Sequence, residues 1–152
     1  MRILLFLSIA IFSAFGTKAQ NNTPLDPVKW FYVAQKTADG EYNLLITANI
    51  EKKWNVYSQY LASNDGPVAT SFTFAKDNIL ELVGKTAEEG HKKEGFDEMF
   101  GMNVVKFTDK VVFTQKVKVK KGAKSIKGVV NYMCCDNEMC LPPKDVNFEI
   151  QL

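Results

Sequence analysis

The sequence has no apolar run of the roughly 20 residues that a helix needs to cross a bilayer. It has no C-x-x-C pair and no βαβ pattern, which excludes a thioredoxin-type redox module. Its single histidine, His91, and three cysteines match no fixed zinc spacing. No segment keeps a helical period and none repeats, so helical bundles and solenoids are excluded. An excess of charge is missing too. The 19 Lys+Arg against 17 Asp+Glu include Arg2 and Lys18 of an N-terminal leader. Without that leader the signs balance, so nothing points to nucleic acid as a partner or to an anionic membrane surface.

The leader is read from residues 1–19: Arg2, an apolar run from Ile3 to Phe15, then Thr17-Lys18-Ala19. A basic start, a short apolar core and a small-x-small end make a secretory signal, with no membrane span left after cleavage. The expected location is periplasmic or secreted. Residues 20–27 (QNNTPLDP) read as a disordered lead-in, and 28–152 as one domain.

What is present is β-rich. Eleven Phe, five Tyr and two Trp sit in short segments between turn signals. Strands are expected near 29–34, 42–50, 56–60, 71–74, 80–84, 104–107, 110–119, 126–133 and 145–152. Breaks are expected at Ala38-Asp39-Gly40, Asn64-Asp65-Gly66-Pro67, Lys76-Asp77-Asn78 and Lys121-Gly122-Ala123. Such a series predicts an all-β antiparallel sandwich or barrel. The lysines at 116, 118, 120, 121, 124 and 127 read as protection of an edge strand. Gly90, Gly95 and Gly101 punctuate 90–101, which reads as a loop whose Phe96, Met99 and Phe100 cover something.

All three cysteines lie in Tyr132-Met133-Cys134-Cys135-Asp136-Asn137-Glu138-Met139-Cys140-Leu141-Pro142-Pro143. Export makes a disulfide the default, and a bond between neighbours is strained, so Cys140 is one partner. A four-residue hairpin loop would set Cys135 across from Cys140, with Cys134 as the alternate. So small a loop removes only about 2 kcal/mol of unfolded-state entropy, which suits exchange better than stapling. A second reading is Cu(I), the ion that prefers the thiolates and thioethers of Met133, Cys134, Cys135, Met139 and Cys140, with His91 and Met102 as possible additions. A third is a non-catalytic sandwich that binds protein or glycan and carries a structural bridge.

Tyr132-x-x-Cys135 followed by Cys140-Leu141-Pro142-Pro143 resembles the redox hairpin of the N-terminal periplasmic domain of the DsbD thiol–disulfide interchange proteins. Phe96-Asp97-Glu98-Met99-Phe100-Gly101 is similar to that family's cap loop. Trp54-Asn55-Val56-Tyr57 is similar to its aromatic strand beside the site. The resemblance covers about 28–152. It implies an immunoglobulin-like antiparallel β-sandwich acting as a thiol–disulfide oxidoreductase component, with no cofactor and no resident metal. By position, Cys140 would form the mixed disulfide and Cys135 resolve it. Asp97 and Glu98 would tune the sulfurs, Met99 and Phe100 would form the lid, and Tyr57 would line the site. The carboxylates at 97, 98, 136 and 138 would disfavour a thiolate. The implied partners are periplasmic thioredoxin-like or disulfide-isomerase proteins; since the sequence shows no membrane relay of its own, a separate membrane electron donor is expected. Two departures stand out: Met99 stands where the family commonly has Phe, and Cys134 is an extra thiol.

Overall fold

The computed structural model describes residues 24–75 and 79–152. The expected signal, the start of the lead-in and the turn at 76–78 lie outside the described residues. Nine strands follow: β1 (Val28–Ala38), β2 (Glu41–Ile50), β3 (Asn55–Tyr57), β4 (Ser71–Phe74), β5 (Leu80–Asp97), β6 (Met102–Val119), β7 (Ser125–Tyr132), β8 (Cys134–Cys135) and β9 (Lys144–Gln151). All pairings are antiparallel. One sheet runs β1-β2-β6-β3-β8, with β5 along the other side of β6; the second runs β4-β7-β9. The fold is an immunoglobulin-like β-sandwich.

Its core follows from alternation. Leu44, Ile46, Ala48 and Ile50 of β2 face inward, as do Val111, Phe113, Gln115 and Val117 of β6. Trp30 of β1 joins the two sheets, with ring centroids 6.4 Å from Phe72, 6.0 Å from Phe113 and 5.2 Å from Tyr132. Tyr32 stacks on Phe148, which Phe74 meets edge-on. Such pairs add to the burial of large apolar surfaces that holds a sandwich shut. The inward Gln115 is satisfied: its amide donates to the carbonyls of Val83 and Lys116 and accepts from the Thr86 hydroxyl. Those bonds sit where β5 shifts register between Val83 and Ala87.

Four expectations need correction. First, 90–101 is not a loop. Strand β5 continues to Asp97, and only the turn Glu98–Gly101 separates it from β6. Gly90 serves close approach, because a Cβ there would lie 2.4 Å from the Lys110 carbonyl oxygen, beside the shift between Gly90 and His91. Second, 104–107 and 110–119 are one strand. Third, β6 is internal, so Lys116 and Lys118 do not guard an edge; they pair with β2 on one side and β5 on the other. The charged edge is β5 itself, where Glu81, Lys85, Glu89, Lys92, Lys93 and Glu94 are exposed. Fourth, strand β3 ends at Tyr57, because the Ser58 hydroxyl turns the chain by accepting from the Tyr60 amide.

Each of β5 and β6 is 18 residues long, about 60 Å of extended chain at strand rise. Their hairpin carries its tip far from the sandwich centre. That tip comes to rest on the cysteine hairpin.

Candidate redox site

Strand β8 is only two residues long, yet it sorts the cysteines. Asn55 pairs with Cys135 and Val56 with Cys134, and adjacent strand residues face opposite ways. Cys134 therefore joins Val56 in the main core, while Cys135 joins Tyr57, Val104 and Met133 in a second cluster. Leu61, Val68, Phe100, Met102 and Cys140 pack around that cluster.

From Cys135 the chain turns through 136–139. The Asp136 amide donates to the Met139 carbonyl (2.9 Å), and its carboxylate accepts from the amides of Glu138 and Met139 (both 2.8 Å). Those two donors hold the carboxyl below its ordinary range. The loop brings Cys140 opposite Cys135 with a Cα–Cα separation of 4.0 Å, and the two form a disulfide. Cys135 is 1% exposed and Cys140 is half-buried. Cys134 remains a free thiol. Burial, helped by Asp26 and opposed by Lys144, pushes it up to about 11. A thiol so held is neutral at physiological pH and a poor nucleophile.

The cap sits above. Met99 Sδ lies 3.1 Å from Cys140 Sγ, a sulfur–sulfur contact, since a disulfide sulfur has no proton to donate. Phe100 meets Tyr57 edge-on at 5.8 Å, and Tyr57 is 1% exposed. Burial raises the Tyr57 hydroxyl well above the ordinary phenol value, with lesser pushes from Asp97 and Cys134. Asp97 ends β5 and anchors the turn. Its carboxylate accepts from Lys106 Nζ (2.7 Å) and the Met99 amide (3.1 Å), and its carbonyl accepts from the Gly101 amide (2.8 Å). Glu98 is exposed on the wall of a notch also lined by Asp97, Met99, Lys106, Asp136 and Asn137.

The structure thus brings Cys135, Cys140, Tyr57, Asp97, Glu98, Met99 and Phe100 to one end of the sandwich. It does not bring Phe96 over the sulfurs: that ring is 67% exposed. Nor does it bring His91, whose Nδ1 faces Asp109 (2.9 Å) beside the β5–β6 shift. Two carboxylates are already engaged, Asp97 by Lys106 and Asp136 by its own loop.

Two further residues serve the site. Asn55, 4% exposed, donates from Nδ2 to the Cys135 carbonyl (2.8 Å), while its Oδ1 has no partner among the described residues. An Asn in a strand between Trp54 and Val56 runs against β propensity, and that was the signal available for it. Lys106 gives no such signal, because its role depends on facing Asp97 across the turn.

The family described as Thiol:disulfide interchange protein DsbD, N-terminal, matches residues 21–152. The DsbD N-terminal domain of Neisseria meningitidis in the reduced form is 18% identical, with a TM-score of 0.52 over 72% of this chain and 76% of that one. The N-terminal periplasmic domain of ScsB from Proteus mirabilis is 16% identical, with a TM-score of 0.55 over 80% of this chain and 44% of that one. A DsbD N-terminal domain of N. meningitidis in complex with the PilB N-terminal domain is 21% identical, with a TM-score of 0.47 over 78% and 80%. No curated protein matches the sequence.

Proposed function

The chain belongs to the family of DsbD N-terminal domains, and from that premise we propose that it exchanges its Cys135–Cys140 disulfide with a dithiol partner in the periplasm. The observation that carries the reading is the difference between the two sulfurs: Cys140 is half-buried under one side chain, and Cys135 is sealed. A partner thiolate attacks Cys140 Sγ; the 135–140 bond breaks and Cys135 leaves, taking up a proton. The partner's second thiolate then attacks its own bridging sulfur and releases Cys140. Two electrons and two protons have moved, the partner is now a disulfide, and the pair here is a dithiol. Run backwards, the same steps deliver electrons to an oxidised partner.

Met99 stands in the path of that attack, so the cap must lift for the partner to reach Cys140. Asp97, clamped to Lys106, fixes where the cap closes. Glu98, on the outer wall of the notch, faces whatever docks. Tyr57 and Phe100 keep water from the leaving sulfur. The partner class that fits is a thioredoxin-like domain or disulfide isomerase, whose own dithiol is presented at an exposed tip. The electron donor is proposed to be a membrane protein.

The test is a trap. In the reverse direction the Cys140 thiol attacks a partner's disulfide, and a Cys135→Ser variant keeps that thiol but lacks the sulfur that would resolve the mixed disulfide. Incubated with a periplasmic extract, it is expected to hold thioredoxin-like proteins through Cys140, identified by mass. Capture through Cys134 instead, or no capture that needs Cys140, would remove the reading.

A further inference from the structure

All four methionines after the initiator (Met99, Met102, Met133 and Met139) lie at the disulfide. Met102 and Met133 belong to the cluster that holds Cys135 and Cys140, and Met139 adjoins Cys140 in the hairpin. Met99 already places its thioether 3.1 Å from Cys140 Sγ. Among the described residues no methionine packs in the main core, whose side chains are aliphatic and aromatic apart from Cys134. Met102 and Met133 fill the cluster at the sulfurs as flexible side chains do, whereas Met99 is 45% exposed and still turns its sulfur to Cys140.

We propose that the reduced protein binds one Cu(I) ion through Cys135, Cys140 and Met99. Thiolate and thioether sulfur are the ligands that select this ion. Cutting the disulfide leaves two thiols at one point, with the Met99 sulfur beside them. On binding, Cys135 and Cys140 each lose a proton to solvent, the two thiolates and one thioether coordinate, and the metal stays +1. No electron moves in this step. Cys140, half-buried, is the entry; Tyr57, Val104 and Phe100 form a dry wall behind. Cys134 is outside the set because it faces the main core, and His91 because it sits at Asp109. Among the described residues no group of three or more His, Cys, Asp or Glu could hold a metal. The ligand set therefore lacks the firm fourth donor that zinc requires.

The experiment is an anaerobic titration of the fully reduced protein with Cu(I) against a chromogenic Cu(I) chelator, repeated with Met99→Leu. Leucine keeps the volume and covers Cys140 but removes the sulfur. We expect one Cu(I) per chain and affinity about tenfold weaker in Met99→Leu. Cys140→Ser should lose the ion, and tenfold excess Zn(II) should not displace it. Equal thermal unfolding of oxidised wild type and Met99→Leu shows that the fold is intact in the comparison. If the reduced wild type takes no Cu(I) from the chelator, the inference falls. It falls equally if Met99→Leu binds as tightly as wild type, which would mark an ordinary dithiol complex. Neither result bears on disulfide exchange, which the Cys135→Ser trap judges separately.

Discussion

Cys134 and Cys135 are neighbours in sequence and opposites in chemistry. The Cys134 thiol is held up to about 11 by burial, so alkylation of the oxidised native protein at pH 8 should leave it untouched. Full labelling is expected once denaturant opens the core, and mass spectrometry counts the adducts. The sign for stability follows from the same shift. A thiol whose folded value lies above its ordinary value near 9 contributes stability that is complete below pH 9. That contribution is lost as pH rises towards about 11. Cys134→Ala should therefore flatten the fall of unfolding free energy between pH 9 and 11, measured with the disulfide pair replaced by Ser to prevent reshuffling. Spacing alone put Cys135 first and left Cys134 open. It could not decide, because which cysteine faces the core depends on β3, some 80 residues earlier in the chain.

Two hairpins meet at the site, and they differ in how they are held. The cysteine hairpin is fixed by its own atoms: Asp136 satisfies two loop amides, and the Leu141 amide donates to the Cys134 carbonyl at 2.9 Å. The cap turn is likewise closed by Asp97, which accepts from the Met99 and Gly101 amides, but over the sulfurs it is held by the Asp97–Lys106 pair, one aromatic contact and the Met99 sulfur. In a Cys134→Ser background, Met99→Ala should therefore speed reduction of the disulfide by a small thiol, roughly threefold or more, with little change in stability. Adding Phe100→Ala removes the Tyr57 contact and should cost about 1–2 kcal/mol, since that ring is only half-buried. Stopped-flow reduction and chemical unfolding give both numbers. An unchanged rate in the Met99 variant would make the cap mere packing. Strands β2, β4 and β9 were legible because their own side chains alternate or their turns are marked. The outer half of β5 was not. From Lys85 to Gly95 it is charged and glycine-bearing, and it is a strand because β6 supplies its hydrogen-bond partners. Sequence patterns record burial, and β5 buries almost nothing.

At the scale of the whole molecule, the described residues form two cores, one between the sheets and a smaller one around the sulfurs. The larger holds the fold and does not need the bridge. Replacing both Cys135 and Cys140 by Ser should cost at most roughly 2–3 kcal/mol, read from denaturant unfolding, while abolishing exchange. A variant that cannot fold would show that the bridge is a staple. The division also governs biogenesis. In an unfolded chain entering an oxidising compartment, Cys134 and Cys135 are nearly equal competitors for Cys140, since their loops differ by one residue. A chain oxidised too early splits into two isomers, and in one of them Cys134 is bonded where the pleat needs it turned inward. That isomer cannot complete β8, so its free Cys135 stays near the wrong bond and can attack it. The pleat of two residues thus favours the 135–140 isomer over the mispaired one.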